Sequence, residues 1–202
     1  MPTDTFSVLA SGDDGRAGAS DTVYPPEINL TSDAAGVNVN ISKRETFAAF
    51  RTDVGLIRFD TSTLPDAAVV SKATLRLNVI SKVDNEARSI VAEWYASSNW
   101  PIDTTDYSST VVTDAHAGTT IASIATGADQ DFALQNLSNI SLTGYTGLRL
   151  HVTGGAPATD QINELIVALF DHATLAEPRL LVTYDDEYQV PAVYPPAKFG
   201  PF

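Results

Sequence analysis

The chain has 202 residues, no cysteine and a formal net charge of −13 at pH 7. This length fits one large domain, and the lack of cysteine excludes disulfides and thiol chemistry. The acidic balance argues against binding nucleic acid through its phosphates. Residues 1–15 have neither a basic segment nor an apolar core, so no signal peptide is expected. No stretch approaches the roughly 18 apolar residues of a membrane-spanning helix, so no interaction with a membrane is expected.

Residues 1–20 are rich in Ser, Gly, Ala and Asp, a composition that predicts an extended N-terminal arm. Short β-like pieces follow in residues 38–50. The clearest unit is the stretch from Gly55 to Val79, in which two alternating segments flank a turn at Pro65. Period-two alternation around a proline-containing turn predicts strand, loop and strand.

Further strands are predicted at residues 89–96, 147–153, 165–170 and 179–184, with shorter candidates at 110–113 and 119–125. Residues 129–142 fit either a helical turn or a strand followed by a short turn. Many short strands with almost no helical pattern predict an all-β fold, an antiparallel β-sandwich of jelly-roll type spanning residues 21–185. Residues 186–202 are rich in proline and predict an extended C-terminal arm, because proline cannot pair within a central strand.

Three motifs occur in order along the predicted domain. The first is Arg58-Phe59-Asp60, the second is the Leu64-Pro65 turn followed by Ala73-Thr74-Leu75-Arg76-Leu77, and the third is Pro178 to Tyr184, preceded by Gly147 to Leu150. This pattern resembles the DNRLRE-type domain, which is also grouped with carbohydrate-binding modules. The resemblance implies a non-catalytic jelly-roll β-sandwich of the kind found in secreted polysaccharide-active proteins and in phage structural proteins. Unlike the secreted members, this sequence shows neither a signal peptide nor an attached enzyme domain, which favours the phage group.

Arg58 and Asp60 are two residues apart on a predicted strand and therefore share a face. We interpret them as structural ties of the sandwich in preference to a pair that faces a ligand. Jelly-roll domains of the family that this sequence resembles often carry a structural Ca²⁺. This ion takes about six to eight oxygen ligands. Asp103 and Asp106 are the first candidates for such a metal, and a solvated acidic surface is the alternative. No other cofactor is expected.

The polar loop that contains Trp100 and Tyr107 offers two aromatic rings as a candidate glycan platform. The alternative is that these rings cover the core or contact a neighbouring subunit. The C-terminal arm carries apolar residues separated by prolines, a pattern suited to extended docking on a partner. These candidate anchors are Tyr188, Val190, Val193, Tyr194, Phe199 and Phe202. The alternative for the arm is that it folds back on its own domain.

The chain lacks a GxSxG motif, a cysteine nucleophile and histidines at metal-ligand spacing, so it is not expected to be an enzyme. The predicted function is a structural protein of a phage virion, either a capsid decoration (cement) protein or a tail-associated protein, made in the host cytoplasm. Its expected partners are other virion subunits, such as the major capsid protein or copies of itself, and host surface glycans. The alternative function is a carbohydrate-binding module, with or without calcium.

Overall fold

A computed structural model describes residues 1–34 and 36–185 of the chain. These residues form twelve strands and five short 3₁₀ turns. The strands are β1 (Thr3–Ser7), β2 (Asp14–Asp21), β3 (Thr31–Asp33), β4 (Asn38–Thr46), β5 (Ala49–Asp60), β6 (Val69–Asp84), β7 (Ser89–Tyr95), β8 (Thr113–Thr120), β9 (Ala128–Ala133), β10 (Tyr145–Val152), β11 (Ile162–Ala168) and β12 (Arg179–Asp185). The 3₁₀ turns are Ser11–Asp13, Ser97–Asn99, Thr104–Tyr107, Ile121–Ser123 and Leu137–Asn139.

The strands form one continuous, curled sheet in which the paired strands run antiparallel. Its path is β1-β12-β6-β11-β4-β5-β10-β7-β8, with β2 and β3 joined beside β5 and β9 paired to β6. The sheet curls over into a β-sandwich of jelly-roll type, so the predicted all-β fold class is confirmed. The predicted unit from Gly55 to Val79 corresponds to the end of β5, a turn and most of β6.

Strand β5 belongs to both layers of the sandwich. On one edge it pairs with β2 along residues 50–57. Its other edge pairs first with β4, at residues 49–53, and then with β10, at residues 55–60. The two layers therefore separate at Gly55. A β-carbon at Gly55 would lie 3.1 Å from Ile41 Cγ1, so the glycine allows β4 to pass close to β5 where the layers part.

The main core lies between the two layers. Its largest fully buried side chains include Phe59, Leu75, Leu77, Trp94, Phe132 and Leu148. Each buried side chain of this kind stabilises the fold by about 1.5–3 kcal/mol. Trp94 faces this core, as its strand position predicts, and its indole N–H donates a hydrogen bond of 2.9 Å to the carbonyl oxygen of Gln135.

A second, smaller core lies on the outer face of β5. It is formed by Ala17, Val54, Leu56, Tyr95 and Ile102, and Trp100, Tyr107 and Val111 pack against it. Apolar residues therefore occupy both faces of β5, as in a central strand. The segment between β7 and β8, residues 96–112, crosses this outer face and shields it from water.

Residues 1–20 are part of the sheet and not the N-terminal arm that their composition predicts. β1 pairs with β12, and β2 pairs with β5. The small residues of β2 are needed because its neighbours lie very close. A β-carbon at Gly18 would lie 2.3 Å from Asp53 Oδ1 and 2.9 Å from the carbonyl oxygen of Thr52. Close packing explains the small residues that composition alone assigns to a flexible segment.

Two further sequence expectations have clear outcomes. Residues 129–142 form β9 followed by a 3₁₀ turn, which agrees with the strand alternative. The short candidates at 110–113 and 119–125 are replaced by β8, which spans Thr113–Thr120. The predicted C-terminal arm, residues 186–202, lies outside the described residues.

Arg58 has a structural role, as the sequence interpretation holds. Its Nε donates a hydrogen bond of 2.7 Å to Asp13 Oδ1, which ties β5 to the turn before β2. Its guanidinium carbon also lies 4.3 Å from the ring centre of Tyr145 and 5.4 Å from that of Trp100. Asp60 is not its partner, because Asp60 accepts a hydrogen bond from the Ser62 backbone N–H instead.

Asp14 is a buried acid, with only 1% of the residue exposed. Its Oδ2 accepts a hydrogen bond of 2.8 Å from the backbone N–H of Phe170, while its Oδ1 has no hydrogen-bond partner among the described residues. Burial raises the pKa of Asp14 from 3.8 to about 7. The hydrogen bond from Phe170 opposes this shift, and the neighbouring charges of Asp171 and Asp13 add to it.

The substitution Asp14→Asn tests this assignment. The folded-state pKa of Asp14 lies above its unfolded value, so the protonated form favours the folded state. This contribution to stability is fully present below pH 3.8 and is lost as the pH rises through about 7. Asparagine keeps the acceptor for Phe170 without the buried charge. We expect it to raise the free energy of unfolding at pH 8 by about 1–3 kcal/mol and to leave it nearly unchanged at pH 4. Urea unfolding at both pH values measures this, and a lower stability of the variant at pH 8 would contradict it.

Candidate functional site

A cleft of ≈ 380 Å³ opens on the outer face of the β5, β10 and β7 strands. Its floor comes from Thr52 and Val54 on β5, Glu93 on β7, and Arg149 and His151 on β10. Its walls are formed by Tyr24 to Glu27, by Lys43, and by Tyr107 with Ser108. The volume falls within the range of about 300–1,000 Å³ that is usual for ligand pockets.

Side chains alternate between the two faces of each strand, and this alternation directs polar residues into the floor of the cleft. On β10, Leu148 and Leu150 point into the main core, so Arg149 and His151 point outward, as the sequence pattern predicts. Antiparallel pairing then sets Arg149 directly beside Glu93 of β7. The charged groups on the floor are therefore fixed by two paired strands.

Arg149 connects this floor to the covering segment. Its Nη1 donates to the carbonyl oxygen of Ser109 at 2.7 Å, and its Nη2 donates to that of Tyr107 at 3.1 Å. Its Nε lies 3.9 Å from Glu93 Oε2, and His151 Nε2 lies 3.3 Å from Glu93 Oε1. Burial alone would raise the pKa of Glu93, but the hydrogen bond and charge of His151 and the charge of Arg149 lower it below its ordinary value. Glu93 is thus an anion at neutral pH.

Two tyrosines, Tyr24 and Tyr107, line the walls of the cleft. The ring of Tyr24 packs edge-on against Phe50, with ring centres 5.6 Å apart. Burial raises the pKa of both Tyr24 and Tyr107 above the ordinary value of 10.0. Both hydroxyls are therefore neutral near pH 7 and can donate and accept hydrogen bonds.

The end of the cleft at β4 is basic, although the protein as a whole is acidic. Burial lowers the pKa of Lys43, and the positive charge of Arg88 lowers it further. The Lys43 Nζ donates a hydrogen bond of 2.5 Å to the carbonyl oxygen of Gly154. Arg88 also holds this region, because it donates hydrogen bonds to the carbonyl oxygens of Thr153, Gly155 and Ala156.

Only one of the two predicted glycan-platform residues lies in the cleft. Tyr107 forms a wall, whereas Trp100 packs edge-on against Tyr95, with ring centres 5.8 Å apart. A β-carbon at Gly147 would lie 3.1 Å from the Trp100 ring, so this ring rests on the β10 backbone. The alternative interpretation, in which the ring covers the core, fits Trp100.

Asp103 and Asp106 do lie together, but they form a capping box around the turn Thr104–Tyr107. Asp103 Oδ1 accepts from the Thr105 N–H at 2.7 Å, and Asp106 Oδ2 accepts from the Asp103 N–H at 2.7 Å. Asp106 Oδ1 accepts from the Tyr95 hydroxyl at 2.5 Å. Both Asp106 oxygens are therefore engaged within the protein, and the capping box positions Tyr107. Within residues 1–34 and 36–185, no group of three or more His, Cys, Asp or Glu could hold a metal ion.

Tyr24, Lys43 and Glu93 are cleft residues that the sequence interpretation missed. Their only signal was local: Tyr24 precedes a Pro-Pro break, and Lys43 and Glu93 occupy polar positions in alternating segments. The six candidate anchors of the C-terminal arm lie outside the described residues.

Comparison with protein-family models gives no match, and comparison with curated proteins gives no significant match. The resemblance to DNRLRE-type domains therefore stays a prediction. In the described part of the chain, no helix has the length and apolar character to cross a membrane.

Arg149→Met tests whether this arginine holds the covering segment. The variant loses both donors to the carbonyl oxygens of Tyr107 and Ser109, which leaves part-buried acceptors without partners. We expect a loss of about 1–3 kcal/mol in the free energy of unfolding and faster proteolysis within residues 103–112. Urea unfolding and mass spectrometry of the cleavage products measure these effects. Arg76→Met, which removes an ion pair with Asp131 elsewhere on the surface, is the control. Equal effects of the two substitutions would contradict the assignment.

Proposed function

We propose that this protein is a non-catalytic saccharide-binding module and that the cleft between Tyr24 and Tyr107 is its binding site. The observation that carries this proposal is the combination of aromatic walls with a charged, hydrogen-bonding floor in one concave site of ≈ 380 Å³. The proposal agrees with the family resemblance. It keeps Tyr107 of the predicted platform and replaces Trp100 with Tyr24.

The chemistry of a sugar ring suits such a cleft. A pyranose has C–H groups on its faces and hydroxyls around its edge. The rings of Tyr24 and Tyr107, with Pro25 beside them, offer apolar surfaces to the faces. Arg149 and Lys43 provide donors for the hydroxyls, and Glu93 provides an acceptor. The cations also suit sugars that carry carboxylate groups.

The floor is held in place before any ligand arrives. Arg149 and Glu93 lie side by side on paired strands, and Arg149 also donates to two backbone carbonyls. Groups that are already ordered lose little conformational entropy on binding. This supports a site for a ligand of modest size that is recognised through a few fixed polar contacts.

The state of Glu93 supports a role without catalysis. Glycoside hydrolysis in most enzymes uses two carboxyl groups, one of which has a raised pKa so that it can act as an acid. The pKa of Glu93 is instead lowered, and its oxygens face Arg149 and His151. Such a carboxylate is suited to accept hydrogen bonds and to fix its cationic neighbours.

Affinity electrophoresis in gels that contain acidic or neutral polysaccharides tests this proposal. We expect the wild-type protein to be retarded by at least one polysaccharide, in the presence or absence of EDTA. Tyr107→Ala removes one wall and should weaken the apparent affinity about 10-fold, which corresponds to about 1.4 kcal/mol.

Tyr145→Ala is the matched control, because Tyr145 is an exposed tyrosine on the same layer but outside the cleft. This variant should keep the wild-type mobility shift. The proposal is wrong if no polysaccharide retards the protein, or if Tyr145→Ala weakens retardation as much as Tyr107→Ala does.

A second proposal is the predicted structural role in a phage virion. One observation favours a protein that contacts partners: several large apolar side chains of the described chain are exposed, including Phe47 at 98% and Val23 at 65%. Exposed apolar side chains that form a contiguous patch often mark contact surfaces. The two proposals are compatible, since a virion surface protein can also bind host glycans.

Removal of residues 186–202 tests the virion proposal, because these residues carry the predicted anchors from Tyr188 to Phe202. The truncated protein should fold but fail to be incorporated when it is produced together with the remaining virion subunits. Circular dichroism checks the fold, and the protein content of purified particles measures incorporation. Normal incorporation of the truncated protein would contradict the assembly role of this segment.

A further inference from the structure

The start of β2 holds a carboxyl group in surroundings that suit neither of its protonation states. Asp14 is 1% exposed, and its Oδ1 has no hydrogen-bond partner among the described residues. A carboxylate at this position keeps its charge away from water, and a carboxylic acid leaves its hydroxyl without an acceptor. The buried charge is by far the more costly of the two. The fold as it stands therefore favours the neutral acid.

Neighbouring charges act in the same direction. Burial is the largest effect on Asp14, and the like charges of Asp171 and Asp13 add to it, while the hydrogen bond from Phe170 opposes them. Arg58 does not offset these charges at Asp14 directly, because its Nε is bound to Asp13 Oδ1 at 2.7 Å. The other charged or titratable side chains on the adjoining segments are Arg16 of β2, Asp33 of β3 and His172 beside Asp171.

Asp14 also holds the turn that connects β11 to β12. We call residues 170–177 the β11–β12 turn. Asp14 Oδ2 accepts a hydrogen bond of 2.8 Å from the backbone N–H of Phe170, the first residue of this turn. In the described chain, the remaining hydrogen bonds of the turn are local, from His172 N–H to the Leu169 carbonyl and from the Thr174 and Leu175 N–H groups to His172 Nδ1. Asp14 is therefore the side chain that ties this turn to the rest of the described fold.

The turn is easier to displace than the strand that carries Asp14. β2 pairs with β5 along its whole length, from Asp14 to Asp21. The β11–β12 turn has no such ladder, and its first two residues, Phe170 and Asp171, are exposed. Segments with few ties to the core open at a lower free energy than paired strands. If Asp14 gains access to water, the turn is the part that moves.

We propose that Asp14 is a proton-controlled latch on the β11–β12 turn. The neutral acid holds the turn closed over β2. Loss of the proton places a charge beside Asp13 and Asp171 in a buried site, and displacement of the turn lets water reach the carboxylate. The latch requires neither the saccharide cleft nor residues 186–202, so it goes beyond both proposed functions.

Proton linkage gives the size of the effect. The pKa of Asp14 is about 7 in the closed form, and exposure to water in the open form returns it to about 3.8. The closed form is therefore fully favoured below pH 3.8, and this advantage is lost as the pH rises through about 7. The ratio of open to closed turn should rise about 100-fold between pH 5 and pH 8 and then level off.

Amide hydrogen exchange of the ¹⁵N-labelled full chain, followed by NMR, tests the latch. The protection factor of the Phe170 N–H corrects the measured rate for the intrinsic effect of pH, and it should fall about 100-fold from pH 5 to pH 8. Asp14→Asn keeps an acceptor for Phe170 but cannot ionise, so its Phe170 protection should stay constant over this range. Asp171→Asn removes one like charge, so the fall should be smaller than in the wild type. Asp114→Asn, at an exposed residue of β8, is the control and should match the wild type.

The N–H of Leu148 separates opening of the turn from global unfolding. Leu148 lies in β10, which pairs with β5 on one side and β7 on the other. At pH 8 the Phe170 N–H should exchange faster than that of Leu148. The proposal is overturned if Phe170 is equally protected at pH 5 and pH 8, or if its protection falls as much in Asp14→Asn as in the wild type. Equal exchange rates of Phe170 and Leu148 at pH 8 would also overturn it, because the whole fold would then be opening.

Discussion

Strand β5 carries apolar side chains on both faces, and the rest of the structure accommodates this constraint. Its inner face packs in the main core with Phe59, while Val54 and Leu56 on its outer face need separate cover. That cover comes from residues 96–112, and Ala17 of the neighbouring strand β2 packs in the same cluster. The cleft lies at the margin of this cover, between Tyr24 and Tyr107, so the candidate binding site follows from how the sheet is shielded.

Two arginines connect the cover to the strands beneath it. Arg149 reaches from β10 to the backbone of residues 107–109, and Arg58 reaches from β5 to Asp13 before β2. Each donates hydrogen bonds to acceptors in part-buried positions, and such acceptors are costly to leave unsatisfied. The Arg149 contacts therefore also hold Tyr107 and the floor of the cleft in place.

Local patterns in the sequence predicted the strands of the sandwich well, because period-two alternation depends only on neighbouring residues. The stretch from Gly55 to Val79 and the outward direction of Arg149 are examples. The role of β2 cannot be predicted from the sequence. A segment rich in glycine and alanine has the same composition whether it is flexible or forms a tightly packed strand. Only the partner strand distinguishes the two, and the paired residues of that strand are 29 to 43 positions away in sequence.

The arrangement of the cleft cannot be predicted from local patterns for the same reason. The polar loop indicates Tyr107 as a candidate, but Lys43 and Glu93 meet it only through the pairing of β4 with β5 and of β10 with β7. The most direct test is an NMR titration of ¹⁵N-labelled protein with oligosaccharides of the polysaccharide that retards it most. We expect shift changes concentrated at residues 24–27, 52–54, 107–108 and 149–151. Changes centred on Trp100 and Tyr145, or no changes at saturating sugar, would contradict it.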